Sequence, residues 1–343
     1  MFDPDDLEFG AGEDLVVLIP VFNDWVALRL LLGELDGVLV AHGLRADVLV
    51  VDDGSTVAAG PGFPGVALKN IGSVRVLGLR RNLGHQRAIA VGLAFLGANV
   101  PCEAVVVMDG DGEDDPRDVP RLVEHCRSGN WSKIVFAERT KRSESWTFRA
   151  GYAAYRLLHR ILTGQKVRVG NFSVVPRDRL NSLVVVSELW NHYAAAALAS
   201  RQPFETVPTR RGRRLDGKSS MNFIRLVCHG LSAISVFGDV VGVRLLVALF
   251  GLSTASVLGM GATLAVRLLT TLAIPGWTTT VLGVLSVLLF QAIMFAFILS
   301  FMILGDRHGL TFLPLRDYAH FVGAVRTVHP NRGRAPARRA PAA

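Results

Sequence analysis

The chain predicts an α/β domain with a mostly parallel sheet, followed by an interfacial helix and a two-helix transmembrane hairpin. Three observations predict it. Short apolar, β-branched runs alternate with helical patterns over residues 1–230. Two long uncharged stretches follow, and basic residues flank both of them. Half of the 343 residues are hydrophobic and 19% are charged, against roughly 25% charged in ordinary globular chains. That excludes a disordered chain. Cys102, Cys126 and Cys228 are too scattered for a disulfide framework or a Cys-rich zinc site.

The strand candidates are 15–19, 48–51, 74–79, 104–108 and 134–137. Each is short and almost continuously apolar, as in strands covered on both faces. Helical patterns occupy 24–42, with Asp24 as the expected N-cap, then 84–97 and 116–128. Alternation of this kind gives a mostly parallel sheet. Ligands of such sheets bind at the carboxyl ends of strands.

Residues 245–266 carry no charge, Arg267 interrupts, and 268–305 are again uncharged. At about 1.5 Å per residue the first stretch spans roughly 33 Å, enough for a hydrocarbon core of about 30 Å. The alternative, two buried helices of a soluble protein, fits poorly because neither stretch has a polar face. The expected spans are 243–266 and 279–304, joined near Pro275-Gly276. Basic residues crowd 201–244 and the segment after the second span, whereas the hairpin offers only Arg267. This places the N-terminal domain and the tail in the cytoplasm, on a multi-pass inner-membrane protein. The acidic segment 1–13 does not read as a signal peptide. Residues 219–240 place apolar side chains at helical spacing and read as an interfacial helix, with a helix packed on the soluble domain as the alternative. Gly251, Ala255, Gly259 and Thr263 recur every fourth residue, for close approach of either the second span or another subunit in a homo-oligomer. The tail 306–343 is basic. Its end, 327–343, reads as a disordered segment drawn to anionic lipid or simply solvated.

Polar clusters follow three of the strands. They are Pro20-Val21-Phe22-Asn23-Asp24, Asp52-Asp53-Gly54-Ser55-Thr56 and Asp109-Gly110-Asp111-Gly112-Glu113-Asp114-Asp115. So many carboxylates repel one another unless something positive sits among them. Mg²⁺ or Mn²⁺ is the economical answer, and such an ion typically also holds substrate phosphates. Asp109, Asp111 and Glu113 alternate, so on an extended segment they share a face and bind one ion. The spacing is not that of an EF-hand. No P-loop and no dinucleotide fingerprint is present.

Together these clusters resemble the family-2 glycosyltransferases of the GT-A fold. More narrowly, residues 13–305 resemble the polyprenyl-phosphate glycosyltransferases. The family's V-I-P-x-[YF]-N-E stands here as Leu18-Ile19-Pro20-Val21-Phe22-Asn23-Asp24. V-D-D-G-S is intact at 51–55, R-N-x-G lies at 81–84, and M-D-x-D-L-Q-D-P-P becomes the segment from Met108 to Pro116 with Glu113 for Gln. Gly170-Asn171-Phe172 resembles G-D-F, and the segment 214–220 resembles R-x-x-G-x-S-K with Ser220 for Lys.

The resemblance implies a glycosyltransferase domain over 14–218. Its nucleotide-sugar site would comprise Pro20, Phe22, Asn23, Asp24, Asp52, Asp53, Arg81 and Lys218, with Asp53 on the base or ribose and Lys218 standing in for the missing Lys. It implies metal ligands Asp109, Asp111 and Glu113, the extra charge at Glu113 tightening the ion or shifting metal preference. Arg214 would bind the donor diphosphate, and Arg139 and Arg149 the phosphate of a polyprenyl acceptor. The reaction implied is a single displacement with inversion, without a general base, because a phosphate monoester is already anionic at pH 7. His85, His192 and His229 lack metal-site spacing and read as core or capping residues. A sugar-hydroxyl acceptor and a non-catalytic scaffold remain as rival readings. Processive synthesis is disfavoured by the absence of Q-x-x-R-W. The net charge of +8 is explained by the membrane flanks without nucleic acid.

Overall fold

β1 (Leu15–Val21) is buried at every position, as its unbroken apolar run requires. The computed structural model describes residues 15–139, 156–165, 169–217, 223–306 and 312–329. After β1 come α1 (Trp25–Ala41), β2 (Ala46–Asp52), β3 (Ile71–Leu79), α2 (His85–Asn99), β4 (Ala104–Val107), α3 (Val119–Ser128) and β5 (Ile134–Arg139). A helix at 156–163, here α4, precedes β6 (Val169–Pro176), α5 (Arg177–Leu183), α6 (Tyr193–Ala199) and β7 (Phe204–Thr209). The chain continues with α7 (Phe223–Ser235), α8 (Gly238–Leu269), α9 (Trp277–Asp306), α10 (Pro314–Asp317) and β8 (Val322–His329).

The strands form one sheet in the order β7-β5-β6-β4-β1-β2-β3-β8. β1 runs parallel to β2 and β4, β2 to β3, and β5 to β7. β8 on β3, and β6 on β4 and β5, are antiparallel. The sheet is mixed, with four of its seven pairings parallel. The three strands absent from the sequence reading are those whose apolar run is broken: β6 carries exposed Gly170 and half-buried Asn171 near its start, β7 contains Pro208, and β8 contains Arg326. β8 also removes residues 322–329 from the expected tail, whose end was read as disordered. Alternate side chains of β1 feed two cores: Val16 and Leu18 pack with α2, while Leu15, Val17 and Ile19 pack with α1 and α3.

Asp36 on α1 anchors the entry to β3. Its buried carboxylate accepts the backbone N–H of Lys69, Asn70 and Ile71 at 2.8–3.0 Å. Asp36→Ala would strand buried donors, so it is expected to cost roughly 3 kcal/mol. A fall in urea midpoint at unchanged m-value checks this.

The described residues fall into two compact units, one built on the sheet and the other comprising α4, α8 and α9. α8 and α9 extend the expected spans, and only 11% and 6% of their most apolar windows are buried. Phe250, Leu258, Phe290 and Phe301 all face outward. Exposure of this kind separates them from the core helices of a soluble protein and fits membrane association. The seam between α8 and α9 uses Gly242, Ser256, Gly259 and Thr263; a Cβ at Gly259 would lie 3.1 Å from Leu285 Cδ1. Gly251 and Ala255, expected in the same stripe, face away, because the seam follows a spacing nearer 3.5 than 4.

α4 lies inside the range 14–218 read as one domain, yet belongs to the second unit. Arg244 donates to the carbonyl of Ile161 at 2.7 Å and caps α4, while Leu157, Leu158 and Ile161 are exposed. The expected helix 219–240 is divided between α7 and the start of α8. α7 approaches α6 through His229, its Gly230 and Ala233 are buried, and Val227 and Leu231 remain exposed one turn apart.

Candidate active site

The carboxyl ends of β1, β2 and β4 lie side by side in the sheet. Asn23, at φ 60°, closes the turn after β1. Its side-chain oxygen accepts the N–H groups of Thr56 and Val57 at 2.9 and 3.0 Å, and its amide donates to Thr56 Oγ1 at 3.1 Å. Trp25 Nε1 donates to the carbonyl of Val57. Asn23 thus spends its polar atoms on the neighbouring loop, and Pro20 is buried inside β1. Phe22 and Arg81 are exposed, and Asp52 is half-buried.

Asp53 departs from its expected contact with base or ribose. It is 3% exposed, and its two oxygens accept the N–H groups of Leu83 and Gly84 at 2.7 and 2.9 Å. Burial pushes its carboxyl above the ordinary range, against the pull of those two donors. Gly54, at φ +69°, lets the loops meet: a Cβ there would lie 2.6 Å from Asn82 N. Asp53 is a scaffold for the loop that opens α2.

The acidic segment after β4 is a tight turn, not an extended strand. The N–H of Glu113 donates to Asp111 Oδ1, and that of Asp109 to Asp114 Oδ2, both at 2.9 Å. Residues 211–215 lie antiparallel across this turn. Gly212 N donates to the carbonyl of Glu113 and Leu215 N to that of Asp111, again at 2.9 Å. Gly112, at φ +85°, permits the approach: a Cβ there would lie 2.5 Å from Leu215 Cγ.

That crossing delivers two guanidinium groups. Arg214 bridges Asp111 Oδ2 at 2.8 Å and Asp24 Oδ2 at 2.6 Å. Asp24 sits at the start of α1 but makes no capping bond with its side chain; Arg214 claims it instead. Arg211 clasps Glu113 Oε2 from Nη2 and Nε at 2.5 and 3.1 Å. On the other side, His85 Nε2 lies 3.1 Å from Asp109 Oδ1. Burial raises the Asp111 carboxyl above its usual range, with the charges of Asp109 and Glu113 adding to it. The His85 side chain is 43% exposed; desolvation among its crowded neighbours pulls its pKa downward, but the carboxylates of Asp109, Asp114 and Asp111 carry it above its ordinary value.

Among the described residues no three His, Cys, Asp or Glu side chains converge as one ligand set. The trio Asp109, Asp111 and Glu113 is thereby reduced: Glu113 faces Arg211, which leaves Asp109 and Asp111. Those two fit a hard divalent cation, for their donors are all carboxylate oxygen and the Arg214 guanidinium already lies against Asp111. Glu113→Gln is therefore expected to leave the Mn²⁺/Mg²⁺ preference as in wild type. Loss of the partly exposed Arg211 clasp should raise the donor KM about fivefold, ~1 kcal/mol. Parallel metal titrations and donor saturation curves check this.

Arg139 ends β5; its side chain, and the whole of Arg149, Lys218 and Ser220, lie outside the described residues. His192 caps α6 by accepting from Ala195 N, and its Nε2 meets His229 Nε2 at 3.3 Å. His85, read as a core or capping residue, and Arg211, read as a membrane-flanking charge, are the site residues that the sequence reading missed. The signal for His85 was its position directly after R-N-x-G.

A mixed sheet with these strand-end carboxylates is the GT-A fold of nucleotide-sugar glycosyltransferases. The model of glycosyl transferase family 2 matches residues 16–183. An undecaprenyl-phosphate 4-deoxy-4-formamido-L-arabinose transferase from Edwardsiella ictaluri is 26% identical over 251 residues, covering 68% of this chain and 74% of its own. The protein of that name from Enterobacter sp. is 25% identical over 252 residues, covering 66% and 72%. Among solved structures, Mycobacterium tuberculosis glucosyl-3-phosphoglycerate synthase with Mn²⁺, UDP-glucose and phosphoglyceric acid gives a TM-score of 0.45 at 17% identity, covering 68% of this chain and 81% of that one. Residues 16–183 are a glycosyl transferase family 2 domain, and the chain is related to the polyprenyl-phosphate sugar transferases.

Proposed function

We propose that this enzyme moves one sugar from a nucleotide-diphosphate donor to a polyprenyl phosphate at the cytoplasmic face of the inner membrane. One observation carries the reading. The carboxylates of Asp109 and Asp111, with Arg214 between Asp111 and Asp24, stand at the carboxyl end of the sheet in a chain that also bears two membrane-length apolar helices. The relatives' names supply the acceptor class.

Cleavage at the anomeric carbon places negative charge on the departing diphosphate. Arg214 stabilises that charge where it develops. Asp109 and Asp111 would hold Mg²⁺ or Mn²⁺, which supplies further positive charge to the same group. Asp53 and Asn23 keep the two nucleotide-facing loops in register, so that Phe22, Asp52 and Arg81 meet the nucleoside. The acceptor phosphate, with second pKa of about 6, is its own nucleophile and needs positioning rather than a base. Arg139 and Arg149 are proposed for that task, Arg being suited to paired phosphate contacts. The basic residues before α8 and after α9 support the cytoplasmic orientation.

The test is incubation of the detergent-purified chain with undecaprenyl phosphate, Mn²⁺ or Mg²⁺ and a panel of labelled nucleotide sugars. Label in the organic phase, with the mass of a monophosphoryl lipid sugar, is the expected result. Donor hydrolysis without a lipid product would favour a sugar-hydroxyl acceptor.

A further inference from the structure

Behind Asp109 runs a line of amides whose direction is fixed at its far end. The backbone N–H of Tyr193, in the first turn of α6, donates to Gln86 Oε1 at 2.8 Å. A backbone N–H cannot reverse, so Gln86 must present its oxygen there and its NH₂ on the other side. That NH₂ donates to Asn171 Oδ1 at 3.1 Å. The Asn171 NH₂ is thereby aimed at Asp109 Oδ1, 3.4 Å away. Reversal of either amide would set donor against donor or oxygen against oxygen.

The same tyrosine holds the other end of Asn171. Ser173 Oγ donates to the carbonyl of Asn171 at 2.9 Å, so the Tyr193 hydroxyl, 2.6 Å from that Oγ, is the donor to it. Burial pushes the Tyr193 phenol well above its ordinary range, which keeps it a donor. Tyr193 is fully buried and lies against Phe136 of β5. Asn171 is thus gripped through its backbone and its side chain by one immobile residue.

We propose that Gln86 and Asn171 are positioning residues that form a one-way relay from α6 to Asp109, and that the relay sets how this carboxylate is presented to the cation and donor diphosphate. The proposal rests on Asp109 and Asp111 being the cation-holding pair. Groups that orient metal-binding carboxylates typically contribute about 10–100-fold in affinity.

Gln86→Glu is close in shape and still accepts from Tyr193. Its second oxygen, however, cannot donate, so Asn171 must turn its NH₂ toward the new carboxylate and its oxygen toward Asp109. Asn171→Ala removes the element that transmits the reversal. Full-length chains in detergent would be titrated with Mn²⁺ alone, free ion being read by electron paramagnetic resonance, and assayed for kcat. Wild type, Gln86→Glu, Asn171→Ala, the double variant and Asp111→Ala form the set.

The relay predicts about tenfold weaker Mn²⁺ binding in Gln86→Glu, a smaller loss in Asn171→Ala, and a double variant no worse than Asn171→Ala. A residue that merely stabilises the fold would give additive losses. Wild-type Mn²⁺ affinity in Gln86→Glu, or additivity in the double variant, overturns the relay. If Asp111→Ala binds Mn²⁺ like wild type, the cation reading fails instead. The same double-variant comparison on kcat then decides the relay, with non-additive losses supporting it and additive or absent losses overturning it. A wild-type chain that neither binds Mn²⁺ nor transfers sugar overturns both.

Discussion

Asp111→Asn is expected to lower sugar transfer by about 10²–10³-fold without lowering the melting temperature of the metal-free chain. The two halves have one cause. Burial lifts the Asp111 carboxyl above its ordinary value and the charges of Asp109 and Glu113 add to it, while the Glu113 N–H and Arg214 pull the other way. A carboxyl whose folded pKa lies above its unfolded one favours the folded state when protonated. Its contribution therefore grows as pH falls through the folded pKa and is complete below the unfolded value. At neutral pH the charged form is a burden on the metal-free fold, and the neutral amide removes that burden. The amide also removes the charge that draws a cation and half of the bridge that aims Arg214. Label in the organic phase gives the first half. Melting curves in chelator at neutral pH, repeated below the carboxylate range where the two chains should converge, give the second. Wild-type transfer by the variant would dismiss Asp111 from the site. A melting temperature several degrees lower would mean that Arg214 holds the fold through Asp111, not merely the site.

Sequence made the centre of the sheet plain and its margins obscure. β1 to β5 lie within a few residues of their expected positions because each is an apolar run buried on both faces. β6, β7 and β8 interleave polar residues, and without knowing what covers them no periodicity singles them out. The site divides along a similar line. Asp109, Asp111 and Arg214 were legible as charges in an unusual density. Direction was not legible. Asp52 and Asp53 are neighbours of identical chemistry, yet Asp53 turns inward because its partners, the N–H groups of Leu83 and Gly84, lie thirty residues further along the chain. Glu113 likewise read as a ligand because Arg211, which claims it, stands in a basic run with another apparent purpose.

Ending the chain at residue 311 is expected to unfold the sheet unit, whereas ending it at residue 329 should leave it folded. β8 pairs with β3 from Leu79–Val322 to Val74–His329 and covers what would otherwise be an open edge. Val322 and Val325 enter the core beside Leu77 and Phe95. Phe312 and Phe321 stack on Trp190 with ring centres 4.0 and 4.9 Å away, and the Arg87 guanidinium lies 5.1 Å from the same ring. Asn99 donates to the Tyr318 hydroxyl at 2.9 Å. At about 1.5–3 kcal/mol for a fully buried side chain and roughly half that for a half-buried one, buried Val322 and Val325 with half-buried Phe312, Tyr318 and Phe321 contribute roughly 5–10 kcal/mol before the entropy of ordering the segment is set against it. That rivals the whole stability of a typical domain, about 5–15 kcal/mol. The loss would also reach the active site. The carbonyls of Phe321 and Val322 accept from Arg80 N and Nε at 2.9 and 3.0 Å, and Arg80 leads directly into the loop that Asp53 holds. Size exclusion in detergent of chains ended at 311 and 329, each with a fluorescent tag, is the check. A monodisperse peak from the shorter chain would reduce β8 to a cover strand. Aggregation of the shorter chain alone would make the segment beyond the two apolar helices part of the catalytic fold, so that the sheet is complete only once both of them have been made.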